Sequence, residues 1–67
     1  MEVSIVSDPA RVEYFIMGTR EEVQAEVERL LTEYHPAGYG SRLRAHNFDD
    51  PRAKTYIALV ERATSCD

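Results

Sequence analysis

The chain has 67 residues, 12 of them acidic and eight basic, and its net charge of −4 argues against a general nucleic-acid-binding protein, which usually has a basic balance. A chain of this length forms one small domain, residues 1–67, whose core buries only about 60% of the unfolded surface, so we expect a partner to stabilise it. The single Cys66 excludes an intramolecular disulfide, and without a membrane-spanning apolar run or a signal-peptide pattern the expected location is the cytoplasm.

The first 17 residues predict a β-hairpin. Residues 3–6 and 12–17 are two runs rich in β-branched and aromatic side chains, and Ser7-Asp8-Pro9-Ala10 separates them. Proline at a central position after aspartate is typical of a tight turn, because proline presets the backbone angle that this position needs. The two runs should therefore pair as antiparallel strands.

The segment after Gly18 predicts an amphipathic helix. Thr19 and Glu22 have the spacing of a capping box, in which each side chain accepts a hydrogen bond from the other residue's amide at the start of a helix. Pro36 favours extended geometry in the residue before it, so we expect the helix to end near Tyr34 or His35. The predicted buried stripe recurs at the helical period and consists of Val23, Val27, Leu30, Leu31 and Tyr34.

The rest of the chain predicts two more strands. Glycines mark a loop at residues 36–40. Residues 41–47 alternate between polar and apolar side chains as in a half-buried strand, and residues 54–62 are the last predicted strand. The element order is therefore β-β-α-β-β. With short hairpins at both ends and a right-handed crossover through the helix, the strands take the order 1-2-4-3. This is an α+β fold, a four-stranded antiparallel sheet with one helix on one face.

Both central strands are apolar on both sides, although one helix covers only one face of a sheet. A sheet with one face in water should alternate between apolar and polar side chains, and these strands do not. We therefore expect a second copy of the chain to cover the other face as a symmetric homodimer, although an apolar ligand or another protein would meet the same need. The candidate dimer face consists of Tyr14, Ile16, Tyr56, Ala58 and Val60.

No catalytic, metal-binding or cofactor-binding pattern is present in the sequence. His35, His46 and Cys66 have no motif spacing, and the helix carboxylates lie on a solvated face without a pocket to shift their pKa values. The glycine-rich loop after the helix is the favoured candidate for an exposed functional element. It follows the negative end of the helix dipole, so an interaction loop is favoured over a phosphate-binding loop. Its candidate residues are Gly38, Tyr39, Gly40 and Arg42.

A basic surface on the last two strands gives a competing interpretation. Nearby aromatic rings and cations could bind single-stranded nucleic acid by stacking and phosphate contact, although acidic residues interrupt the set. Its candidate residues are Arg42, Arg44, His46, Arg52, Lys54 and Arg62. The sequence thus favours a small non-enzymatic homodimeric protein that binds a protein or a small ligand, and the alternative is a small nucleic-acid-binding module.

Overall fold

The computed structural model describes residues 1–33 and 39–64 and has the predicted α+β fold. The strands are arranged in the order β1-β2-β4-β3 with every neighbouring pair antiparallel, and the helix packs on one face. The predicted helix end at Tyr34 or His35 lies outside the described residues, as does Cys66. The elements are β1 (Glu2–Ser7), β2 (Arg11–Gly18), α1 (Arg20–Thr32), β3 (Ser41–His46) and β4 (Tyr56–Ala63).

The first hairpin closes through Asp8. Its carboxylate accepts hydrogen bonds from the amides of Ala10 and Arg11 at 2.8 and 3.0 Å, and its own amide donates to the Arg11 carbonyl at 3.0 Å. These bonds to the ionised form hold the pKa of Asp8 below its ordinary value. The turn sets a continuous register in which Ser7 lies opposite Val12.

The predicted capping box is present at the start of α1. The Glu22 amide donates to Thr19 Oγ1 at 3.2 Å, and the Thr19 amide donates to Glu22 Oε1 at 3.0 Å. The second bond is the main reason that the pKa of Glu22 is lowered. Gly18 leaves room for this arrangement, because a Cβ atom there would lie 2.9 Å from Glu22 Oε1 and 3.2 Å from the Cα of Met1.

The core lies between α1 and the sheet. Three residues of the predicted helix stripe are buried in it, but Leu31 is 40% exposed, which corrects the prediction for that position. Successive helical residues are about 100° apart, so Leu31 lies at the side of the helix when Leu30 faces the sheet. The buried cluster consists of Ile16, Val23, Val27, Leu30, Ala58 and Val60, with Tyr14, Leu43, Phe48 and Tyr56 packed against it.

The helix covers the face that we expected a second copy to cover. The five residues of the predicted dimer face, Tyr14, Ile16, Tyr56, Ala58 and Val60, all belong to the core beneath α1 or pack against it. Their assignment to a dimer face is therefore corrected. The alternate residues of the same strands point to the other side of the sheet, as the period of two requires. We call that side the open face.

The two edges of the sheet differ. On β3, a bulge between Leu43 and Ala45 breaks the predicted strict alternation, so that Ala45 lies opposite Leu59 and His46 opposite Ala58. Arg42 and Arg44 both reach Glu61 on the open face. On the other edge, β1 pairs with β2 without interruption, and all six of its residues are exposed. Among the described elements, β1 contacts β2 alone.

Candidate functional site

The open face has an apolar half centred on four side chains. Phe15 and Met17 come from β2, and Ile57 and Leu59 lie directly opposite them on β4. Phe15, Met17 and Ile57 are 44%, 45% and 47% exposed, which is high for large apolar residues in the two central strands. They line a shallow groove of about 410 Å³, with Glu2, Ser4 and Ala45 at its sides. Contiguous exposed apolar surface of this kind is typical of a binding site.

The other half of the open face is charged and is organised around Glu61. Arg44 Nη1 donates to both carboxylate oxygens at 2.9 Å, and Arg42 donates to Oε1 from Nε at 2.8 Å and lies 2.7 Å from it through Nη2. Arg11 Nη1 lies 3.8 Å from Oε2. Glu61 is only 7% exposed although it is charged, so these guanidinium groups replace the water that it loses.

The electrostatics of this cluster favour a structural role for Glu61. Hydrogen bonds from Arg44 and then Arg42 hold the pKa of the Glu61 carboxyl below its ordinary value, and the same contact raises the pKa of Arg44. A carboxylate that stays ionised in this way is a poor general acid or base near neutral pH, since efficient proton transfer needs a pKa close to the working pH. The cluster therefore acts as a fixed, fully ionised group of charges.

The structure does not gather the six predicted basic residues on one surface. Arg42 and Arg44 lie on the open face and are paired with Glu61. His46 lies opposite Ala58, and its ring stacks on Phe48 beside the core, with the centroids 4.8 Å apart. The others are Arg52 and Lys54, which are exposed between β3 and β4, and Arg62, which lies opposite Ser41 on the helix side of the sheet.

The predicted interaction loop is only partly described. Gly38 lies outside the described residues, Tyr39 is half-buried, and Gly40 is exposed with open space where a side chain would be. Arg42, the fourth member, belongs to β3 and is held by Glu61. The structure therefore places Arg42 on the open face, as part of the Glu61 cluster.

Sequence reasoning missed the residues of the open face as a site, although their signal was present. Alternation already placed Phe15 and Met17 opposite Tyr14 and Ile16, and both sets were apolar. The missing information was which set the helix covers. The pairing of Glu61 with two arginines 17 and 19 residues earlier had no local signal, because it depends on the β3–β4 register.

Other features of the described residues add little chemistry. Residues 1–33 and 39–64 contain no group of three or more His, Cys, Asp or Glu side chains that could hold a metal ion. No helix in those ranges is long and apolar enough to cross a membrane. Comparison with known proteins found no matching family model, no matching curated protein and no matching solved structure. The geometry of the open face therefore carries the functional argument.

Proposed function

We propose that this protein is a non-enzymatic interaction module that self-associates through the open face of its sheet. The observation that carries the proposal is the apolar half of that face, where Phe15, Met17 and Ile57 are exposed beside half-buried Leu59 on the two central strands. Central strands of a soluble sheet keep a polar outer face unless another layer covers it. A second copy packed sheet to sheet supplies that layer with the same four side chains.

The surface area of this small chain limits how large the dimer interface can be. A standard protein interface buries about 800 Å² of each partner, which is roughly one sixth of the 4765 Å² surface of this chain. Such a contact involves about 20–30 residues of each partner, more than the four of the apolar half, so we expect it to extend over the Glu61 cluster. We therefore expect a weak dimer that dissociates on dilution, because an interface with an ionic half gains less free energy than a wholly apolar one.

The test compares two aspartate variants by light scattering after size exclusion over a dilution series. Phe15→Asp places a charge in the apolar half of the open face. Leu31→Asp is the matched control, because Leu31 is 40% exposed against 44% for Phe15 but lies on the helix. At the lowest concentrations where the wild type and the control approach twice the 7.7 kDa chain mass, we expect Phe15→Asp to remain at one chain. Equal masses for all three proteins would contradict the proposal.

An apolar small ligand is the other occupant that the groove admits, since about 410 Å³ falls within the range of small-molecule sites. A wild type that stays monomeric, but binds an environment-sensitive apolar dye that Phe15→Asp does not bind, would assign the open face to a ligand.

The nucleic-acid alternative is less favoured, because Arg42 and Arg44 are already paired with Glu61. It requires salt-sensitive binding of a single-stranded oligonucleotide that Arg42→Glu abolishes.

A further inference from the structure

β1 is an open sheet edge that lacks the features by which proteins usually prevent edge pairing. It is six residues long, has no bulge and no proline, and carries one charged residue, Glu2. The opposite edge has such features, because β3 is interrupted by a bulge and presents Arg42 and Arg44. The difference between two edges of one sheet indicates that β1 is built to accept a strand.

The hydrogen-bond pattern identifies which backbone groups of β1 face outward. The Asp8 amide donates to Arg11, and bonded pairs alternate along an antiparallel hairpin, so Val6, Ser4 and Glu2 bond to β2. A second observation agrees. The Thr64 amide donates to Ala10, which assigns the even-numbered residues of β2 to β4 and the odd-numbered ones to β1. The amides and carbonyls of Val3, Ile5 and Ser7 therefore point away from the sheet.

We infer that β1 pairs antiparallel with β1 of a second copy, with Ile5 at the two-fold axis. The outward groups are spaced symmetrically about Ile5, so Val3 of each chain meets Ser7 of the other and Ile5 meets Ile5. All the outward donors and acceptors of the strand are then used. The Ile5 side chain, 62% exposed, packs against its counterpart beside Val3, which is 41% exposed. A register centred on Ser4 would rely on Met1, whose amino group lies 3.6 Å from Glu22.

This edge contact is separate from the open-face contact and does not depend on it. β1 pairing extends the sheet sideways, whereas the open face stacks one sheet on another, so both can form in the same assembly. The edge contact rests on one strand from each chain and should form at higher protein concentration. The mass of the wild type should then rise from two chains toward four as the concentration increases.

Disulfide trapping tests the register. In a Cys66→Ser background, Ile5→Cys places two thiols across the axis, where hydrogen-bonded partners have Cα atoms about 5.5 Å apart, within the range of a disulfide. Val6→Cys is the matched control, because Val6 is on the same strand and 52% exposed but would meet Ser4 of the second copy. Under mild oxidation we expect the Ile5→Cys protein to form the covalent dimer about tenfold faster than the control.

A proline variant tests the same contact without a new covalent bond. Ile5→Pro removes an outward amide and leaves the β1–β2 bonds intact, so circular dichroism should be unchanged while the higher-mass species is lost. Equal cross-linking of the two cysteine variants would overturn the inference, even if Ile5→Pro failed to fold. Cross-linking of Ile5→Cys that persists with Phe15→Asp separates the edge contact from the proposed function. A Phe15→Asp protein that keeps the wild-type mass, while Ile5→Cys still cross-links faster than the control, would overturn only the open-face proposal.

Discussion

Arg44, which lies in the bulge between Leu43 and Ala45, donates to both carboxylate oxygens of Glu61 from one nitrogen. Arg44 is the extra residue of that bulge, and Arg42 reaches the same carboxylate from the regular part of the strand. The hydrogen-bonding oxygens of the nearly buried Glu61 thereby receive their donors from an exposed edge strand. The ionised Glu61 carboxylate therefore helps to hold β3 in place beside β4.

The ionisation of Glu61 should make stability depend on pH. The folded pKa lies below the ordinary value of 4.5, so the stabilisation is present above pH 4.5 and is lost as the pH falls through the lowered folded value. Glu61→Gln should lower the melting temperature at pH 7 and have no effect at a pH well below 4.5. Thermal melts of both proteins from pH 3 to 7 measure the difference. A constant difference across that range would show that packing, not charge, explains the contribution of Glu61.

The capping box should contribute measurably to stability. Thr19→Ala removes the oxygen that accepts from the Glu22 amide, and such substitutions cost about 1 kcal/mol of unfolding free energy. Thr19→Ser is the matched control, since it keeps the hydroxyl. Urea denaturation should show the loss for alanine and nearly wild-type stability for serine. Because Thr19 and Glu22 share the box, their alanine substitutions should be less than additive; full additivity would show that the two bonds act independently.

Two neighbouring leucines should respond very differently to truncation. Leu30 is 2% exposed in the core, and a buried Leu→Ala change costs about 2–5 kcal/mol. Leu31 is 40% exposed, and we expect Leu31→Ala to cost less than about 1 kcal/mol. Denaturant melts of the two variants compare their losses of unfolding free energy for the same substitution at adjacent positions of one helix. Similar losses for both would mean that the helix is rotated about its axis relative to the packing described above.

Much of the fold could be predicted from local signals. The capping box, the Asp-Pro turn and the apolar runs each lie within a few residues, so their chemistry can be read from the sequence. Strand order then followed from short hairpins and the handedness of the crossover. The predicted alternation also separated Phe15 and Met17 from Tyr14 and Ile16 correctly. It could not locate the bulge in β3, which depends on pairing with β4.

The sequence by itself determined the element order, the start of the helix and the presence of an apolar set on each side of the two central strands. The tertiary structure decided which set became the core. Both sets are apolar, so hydrophobic pattern gives no preference between them, and the helix buries whichever set lies on the side to which it folds back. The strand register brings Glu61 to its arginines, and the side that the helix takes leaves Phe15 and Ile57 exposed on the open face. The surface proposed for self-association is therefore a product of long-range packing.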